Sequence, residues 1–488
     1  MTVKQFCKLI LRLNLLGTKP LANILMALAS QTDANSVVQI SENPCFHYQY
    51  SSISKFMERL FKSKSKEEIA TILAEVGEAF LSLKVKCFPE LTDSFWLMNA
   101  DTSPLFRLYS PTLKSRRYVY KANNQIKGNK PVDIGYEFSC IGLSARKGRY
   151  GMSEPPWNLP LTMELVPADE NKNTFTAKQV NSLLDNETLP FRNDLVVNTL
   201  DSNYSRPEYI ARTARQPNLV NVIRVASNIN VWKHLSIEEQ KEQRKSYKDN
   251  KGARSIYGEK YNLKNSEKWD NPPNEESLFC IKILEKKYHV RVRCWDDMMI
   301  RTKRGISMKD NTFRLACIDL SNEDGTAVFE RKLWLSVWGQ RNKELSLEEI
   351  CWAYRQRFDI EHFFRFGKQN LLLDKFETPK EENMDLWLEI VGLAYWMLWV
   401  AKDEAKYECP KWQKYDKNRK KRIEHSLMPS PSEVQRGLKG IILSFEQKPF
   451  LPKPQINGKG RKEGTKLPKK ARHPIIIKAK KVKKAVET

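Results

Sequence analysis

The chain has 488 residues, long enough for roughly two to four domains and a substantial core. Its 83 Lys and Arg against 58 Asp and Glu leave a formal charge of +25, which favours a polyanionic partner through release of counterions from phosphates. Nine scattered cysteines with no C-x-x-C pair argue against a zinc finger and a disulfide framework and fit a reducing cytoplasm.

Residues 1–90 read as a helical domain. Phe6, Leu9, Ile10 and Leu13 recur at helical spacing, as do Ile53, Phe56 and Leu60, then Ile69, Ile72, Leu73 and Val76. DNA binding and simple packing are both open for this domain. Arg12 and Asn14 interrupt any signal-peptide core after Lys4 and Lys8.

From Phe95 the pattern changes to strands. Phe95–Ala100 is a short apolar run ending at Asp101-Thr102-Ser103-Pro104. Tyr118–Tyr120, Gly135–Leu143 and Leu161–Val166 follow as a meander, then a helix over Thr176–Leu184. A second buried strand, Asp194–Leu200, ends at Asp201, and a short helix (Pro207–Thr213) and a strand (Leu219–Ala226) come next. Both aspartates thus follow an apolar strand. Each taken alone is an ordinary turn or cap residue.

The stretch from His234 to Pro273 is highly charged. Strand-like runs then recur at Phe279–Leu284, His289–Trp295, Phe313–Leu320, Ala327–Glu330 and Leu333–Trp338. A helix is expected from about Ser346 to Leu372, with Ser346 and Glu349 spaced as a capping box. At ~100° per residue from Tyr354, Arg357 falls near ~300°, Glu361 near ~340° and Lys368 near ~320°, one narrow stripe. Trp352, Phe363 and Phe366 fall on the opposite, buried side. The plain alternative for Arg357 and Glu361 is a solvated i,i+4 ion pair. The apolar run Ile390–Ala401 reads as a buried core helix, shorter than the roughly 20 residues of a membrane span. Beyond Lys402 the chain is polar: Lys411–Arg422 is a basic cluster, and the tail from Lys453 to Lys484 should be disordered. There is no H-E-x-x-H and no Walker A loop. Gly458, Gly460 and Gly464 lie in the basic tail without a preceding strand.

Tyr354, Arg357, Glu361 and Lys368 spell Y-x2-R-x3-E-x6-K. This resembles the signature of a large group of insertion-sequence transposases of the D-D-E class. The resemblance covers roughly Phe95 to Ala401. It implies an α/β fold: a ribonuclease-H-like mixed sheet with flanking helices, interrupted by a β-strand insertion domain. The expected division is 1–90 N-terminal helices, 91–228 first part of the core, 229–340 β-rich insertion, 341–402 second part of the core, and 403–488 basic C-terminal region.

The resemblance also implies the chemistry. Asp101, Asp201 and Glu361 would be the catalytic acids and the ligands of two divalent cations, Mg2+ or alternatively Mn2+, with Asp101 bridging both. Tyr354, Arg357 and Lys368 would grip DNA phosphates. In that group an insertion-domain tryptophan can stack on a displaced base, and Trp295 is the candidate; the plain alternative is a Trp packed in a small β core. The wording Asn99-Ala100-Asp101-Thr102 departs from the Asp-Asp-Thr of some members, so a neighbouring acid is missing. The expected activity is cleavage of element ends and their joining to target DNA, by a homodimer assembled on double-stranded DNA, in the cytoplasm at the nucleoid and without a membrane partner. The rival readings are an inactive, transposase-derived DNA-binding protein and a ribonuclease-H-like nuclease that cuts without joining.

Overall fold

The computed structural model describes residues 1–13, 18–91, 94–121, 131–145, 155–245, 255–283, 286–301, 306, 308–405, 428–445, 462–466 and 469–477. Four helices come first: α1 (Val3–Arg12), α2 (Thr18–Ser30), α3 (Ser51–Phe61) and α4 (Lys66–Val85). Thr2 with Gln5 and Ser65 with Glu68 form capping boxes that satisfy the first amides of α1 and α4.

The core strands are β1 (Phe95–Phe106), β2 (Arg117–Tyr120), β3 (Val132–Ser144) and β4 (Asn158–Leu165). After α5 (Lys172–Asp185) come β5 (Leu195–Leu200), α6 (Pro207–Thr213) and β6 (Leu219–Val225). Pro207 at the first helical position of α6 loses no hydrogen bond there and fixes where the helix begins. β1 pairs antiparallel with β3 and β3 with β4, whereas β1, β5 and β6 are parallel neighbours. The order β4–β3–β1–β5–β6 is consistent with a ribonuclease-H-like sheet.

The inserted segment carries β7 (Asn230–His234), α7 (Ile237–Lys245), β8 (Tyr257–Asn262), β9 (Glu275–Ile283), β10 (Lys286–Met299), β11 (Phe313–Asn322) and β12 (Leu333–Trp338). β7 and β8 were not expected, and of Ala327–Glu330 only an isolated bridge from Ala327 to Ser321 forms. These strands do not fold as a separate sheet. β12 pairs antiparallel with β6 and extends the core into one 12-stranded sheet.

α8 (Leu347–Arg355) and α9 (Phe358–Asn370) follow, then α10 (Glu381–Ala401) and α11 (Pro431–Phe445). α10 has 21 residues, longer than the apolar run suggests. It is the one described helix long and apolar enough to cross a membrane, yet its apolar window is 89% buried inside the protein. α1–α4 pack around α10 in the same hydrophobic cluster as the sheet, so packing runs across the boundary expected near residue 90.

The basic cluster Lys411–Arg422, Gly458, Gly460 and the run Lys478–Lys484 lie outside the described residues. One stretch of the expected disordered tail is ordered. The Ile476 amide donates to the Arg116 carbonyl at 2.7 Å and the His473 amide to the Pro111 carbonyl at 2.8 Å. Ile476 thereby forms a parallel bridge with Arg117 at the start of β2.

Candidate active site

The site is built where α8 and α9 cross one face of the sheet over β1. Leu97, Asn99, Asp101 and Ser103 share that face by the two-residue period of a strand. They meet the two helices in order. Leu97 joins the apolar cluster that α8 fills with Ile350, Ala353 and Tyr354. Asn99 donates to the Gln356 carbonyl at 3.2 Å. Asp101 faces the Arg357 guanidinium, Nη1 to Oδ2 at 3.6 Å. Lys368 donates to Ser103 Oγ at 2.8 Å and to the Pro104 carbonyl at 3.1 Å.

Two expectations are corrected here. The helix is not continuous: α8 ends at Arg355, and Gln356 and Arg357 form a turn before α9. Both residues keep right-handed helical dihedrals, while the Asp359 and Ile360 amides bond back to Gln356 and Arg357, three residues away. α8 therefore packs over β5, β6, β9 and β10, and α9 over β1 and β4. The second correction is Asp101, which lies inside β1 and not at its end. β1 stays paired with β3 as far as Phe106, but its pairing with β5 stops at Asn99. Asp101 thus stands beyond the last β5 partner, and Asp201 directly follows β5.

Asp201 caps a short 3-10 turn. It accepts from the Asn203 amide at 2.9 Å and from Asn203 Nδ2 at 2.6 Å. Burial, and the like charge of Asp201, push the Asp101 carboxyl up to about 7 against the pull of the Thr102 amide, Arg357 and Lys172. Glu361, in the first turn of α9, is half-exposed and accepts from Arg357 Nη2 at 2.7 Å. One guanidinium thus serves both Asp101 and Glu361. Burial opposes its charge, but Tyr354, Asp101 and Glu361 outweigh that and raise its pKa. The guanidinium lies 4.7 Å from the Phe358 ring centroid, and its Nε has no hydrogen-bond partner.

The remaining expected DNA contacts are turned inward. Tyr354 is 3% exposed in the α8 cluster. Burial lowers the pKa of Lys368, whose ammonium is held on β1. Trp295 is 4% exposed, donates to the Asn271 carbonyl and packs between Trp269 and Trp334 at 5.2 and 5.9 Å. As placed it is a core residue.

Residues without a sequence signature complete the site. Thr199 donates to Asn99, which also donates to Asn158, so a buried polar layer lies under the acids. On the opposite face, Glu137 accepts from Thr102 Oγ1 at 2.7 Å and from Arg117 at 3.1 Å, with Lys172 at 3.8 Å. Only the two-residue periodicity of β1 and β5 could have placed Asn99 and Thr199 there.

The donor chemistry fits a hard divalent cation: carboxylate oxygens with no His or Cys among them. The space between Asp101 and Glu361 already accommodates a positive charge. Among the described residues, no group of three or more His, Cys, Asp or Glu side chains is placed to hold a metal ion.

Residues 157–397 match the family model described as Transposase DDE domain. No curated protein matches the chain. The matched region holds Asp201 and Glu361 and begins after β1, which carries Asp101. This match supports a transposase of the DDE type.

Proposed function

We propose that the protein cuts the ends of an insertion sequence and joins them to target DNA, with Asp101, Asp201 and Glu361 as the catalytic acids. The observation that carries this reading is the shared guanidinium. Asp101 and Glu361, from β1 and α9, meet at Arg357, and the charge of Asp201 acts on Asp101. Asp101 and Glu361, far apart in sequence, thus meet one guanidinium, and this supports reading them as partners in one site.

These three residues would hold the divalent cations, Mg2+ or Mn2+. When bound, such ions polarise the phosphate and stabilise attacking and leaving oxygens. In the first step a water oxygen bonds to phosphorus and the 3′ oxygen leaves as a hydroxyl. In the second, that hydroxyl attacks a target phosphodiester. Each step exchanges one P–O bond for another, so no ATP is required. Arg357, with one donor unused, is the residue suited to take a phosphate oxygen through its planar fork. The formal charge of +25 favours the DNA complex, in which a homodimer would hold the two ends.

Asp201→Asn is the test, with labelled element ends and a target plasmid. Cleavage and joining are expected to disappear while affinity for end DNA stays within about twofold, since a ligand is lost and no phosphate contact is. Equal loss of binding and cleavage makes Asp201 a structural residue. Cleavage without joining by the unaltered protein indicates a nuclease.

A further inference from the structure

We infer that Arg357 is a placeholder cation: its guanidinium occupies the cation position between Asp101 and Glu361 and positions both carboxylates until divalent ions and a DNA phosphate displace it. The inference rests on the assignment of these acids as metal ligands.

The geometry carries it. The Arg357 side chain is 7% exposed, while Glu361 beside it is 46% exposed. A buried guanidinium is retained where it is paired, and the pairing here is divided between two acids from different elements. The arrangement is also incomplete. The contact to Asp101 is 3.6 Å, longer than a charge-assisted hydrogen bond; its unpartnered Nε is shared with the buried Arg107 and Arg116 and does not set it apart. An arginine fixed between two acids would close that contact. Arg314 in the same protein does, with Glu275 at 2.6 Å, Asp296 at 3.3 Å and two backbone carbonyls. Arg357 is therefore the one of these two buried arginines that can be drawn off its acids. Its position at the turn between α8 and α9 allows the side chain to move without unwinding either helix.

The consequence is competition. A guanidinium and a divalent cation cannot both lie between Asp101 and Glu361, so in the absence of DNA the intact protein binds metal weakly. The experiment is Mn2+ binding to the full chain without DNA, by titration calorimetry or by the loss of free Mn2+ signal in electron paramagnetic resonance. Arg357→Gln is expected to tighten Mn2+ binding by tenfold or more. Arg357→Lys keeps the charge and is expected to stay within about threefold of the unaltered protein. Arg357→Met, uncharged and of similar length, serves if Gln does not fold, and thermal melting reports folding in each case. Adding Asp201→Asn separates the two levels of the argument. Unchanged or weaker Mn2+ binding in Arg357→Gln, with binding still dependent on Asp201, overturns the placeholder and leaves the metal site. Binding indifferent to Asp201 in every background overturns the metal site and the placeholder with it.

Discussion

Replacing Asp101 by Asn should make the protein more stable at pH 8 and, in metal-free buffer, more so than at pH 5. The Asp101 side chain is 18% exposed and faces Asp201, so its carboxyl is pushed up to about 7 from an ordinary 3.8. A carboxyl raised in the folded state costs stability as pH rises. Below about pH 4 both folded and unfolded chains hold the proton and nothing is lost. Between about 4 and 7 the unfolded chain releases it and the folded chain keeps it, so stability falls with pH. Above 7 the whole penalty is present. A shift of about 3 units at about 1.36 kcal/mol per unit bounds the penalty at about 4 kcal/mol. Water in the half-open site and the fit of Asn against Arg357 reduce what the variant recovers. Unfolding entropy of about 2.1 cal/mol/K per residue converts 1 kcal/mol into roughly 1 °C for a chain of this length. The expected gain is thus about 1–4 °C at pH 8, about two-thirds of that at pH 6, and near zero at pH 4. Scanning calorimetry of both proteins across pH, with chelator present, measures it. Saturating Mn2+ should reverse the order at pH 8, since it stabilises only the protein with the ligand. A melting temperature that falls in Asp101→Asn at pH 8, or a difference that does not change with pH, would refute the argument that Asp101 is strained by burial and its neighbour.

Two further substitutions separate packing from DNA contact. Lys368→Ala strips a buried donor from Ser103 and Pro104 and should cost about 1–3 kcal/mol of stability while leaving the salt dependence of DNA affinity unaltered; a log–log slope flattened by about 0.7–0.9 would mark it as a phosphate contact. Trp295→Ala opens a cavity beside Trp269 and Trp334 and should cost about 3–5 kcal/mol, seen in thermal or denaturant unfolding; full stability with weakened binding to end DNA would return Trp295 to base stacking.

The legible parts of the sequence were those with a local physical cause. Pro207 fixed the start of α6, and the helix Pro207–Thr213 has the expected bounds. Ser346 and Glu349 close the capping box at α8, as their spacing implies. Leu195–Leu200 is wholly buried, as its unbroken apolar character suggests, and its end puts Asp201 in place. What was not legible depends on the neighbour. Nothing in Gln356-Arg357 announces a turn, because neither residue is Pro or Gly and both keep helical dihedrals. The single polar stripe is therefore divided: Tyr354 is buried in the α8 cluster, Arg357 and Lys368 meet β1, and Glu361 stays half-exposed. Asp101 reads as a strand end because the apolar run stops there, yet a one-sided partner, β3, carries the strand on. β7 and β8 are polar and short, and owe their form to pairing. In the tail, Pro474-Ile475-Ile476-Ile477 was a visible apolar island, outweighed by the lysines around it.

The polar layer beneath the acids explains why the site is held more firmly than its exposed edge suggests. A strand interior made only of apolar residues would leave Asp101 and Asp201 on a surface that can slide. Here Asn99 and Thr199 are register partners across β1 and β5, both fully buried, and bonded to each other. Asn99 also donates to Asn158 on β4 and to the Gln356 carbonyl at the turn. One amide side chain thus ties together β1, β5, β4 and the point where α8 gives way to α9. Gly142 is what admits Asn158: a Cβ there would lie 2.0 Å from Asn158 Nδ2. Buried polar groups favour the arrangement that pairs them; Asn158 Nδ2 and Gln356 Nε2 stay unpartnered, and the bonds that Asn99 makes to Thr199, Asn158 and the Gln356 carbonyl favour one register and one helix position. Asp101 and Asp201 then stand two residues beyond Asn99 and Thr199, and Arg357 one beyond Gln356, where side chains can move while the backbone under them does not.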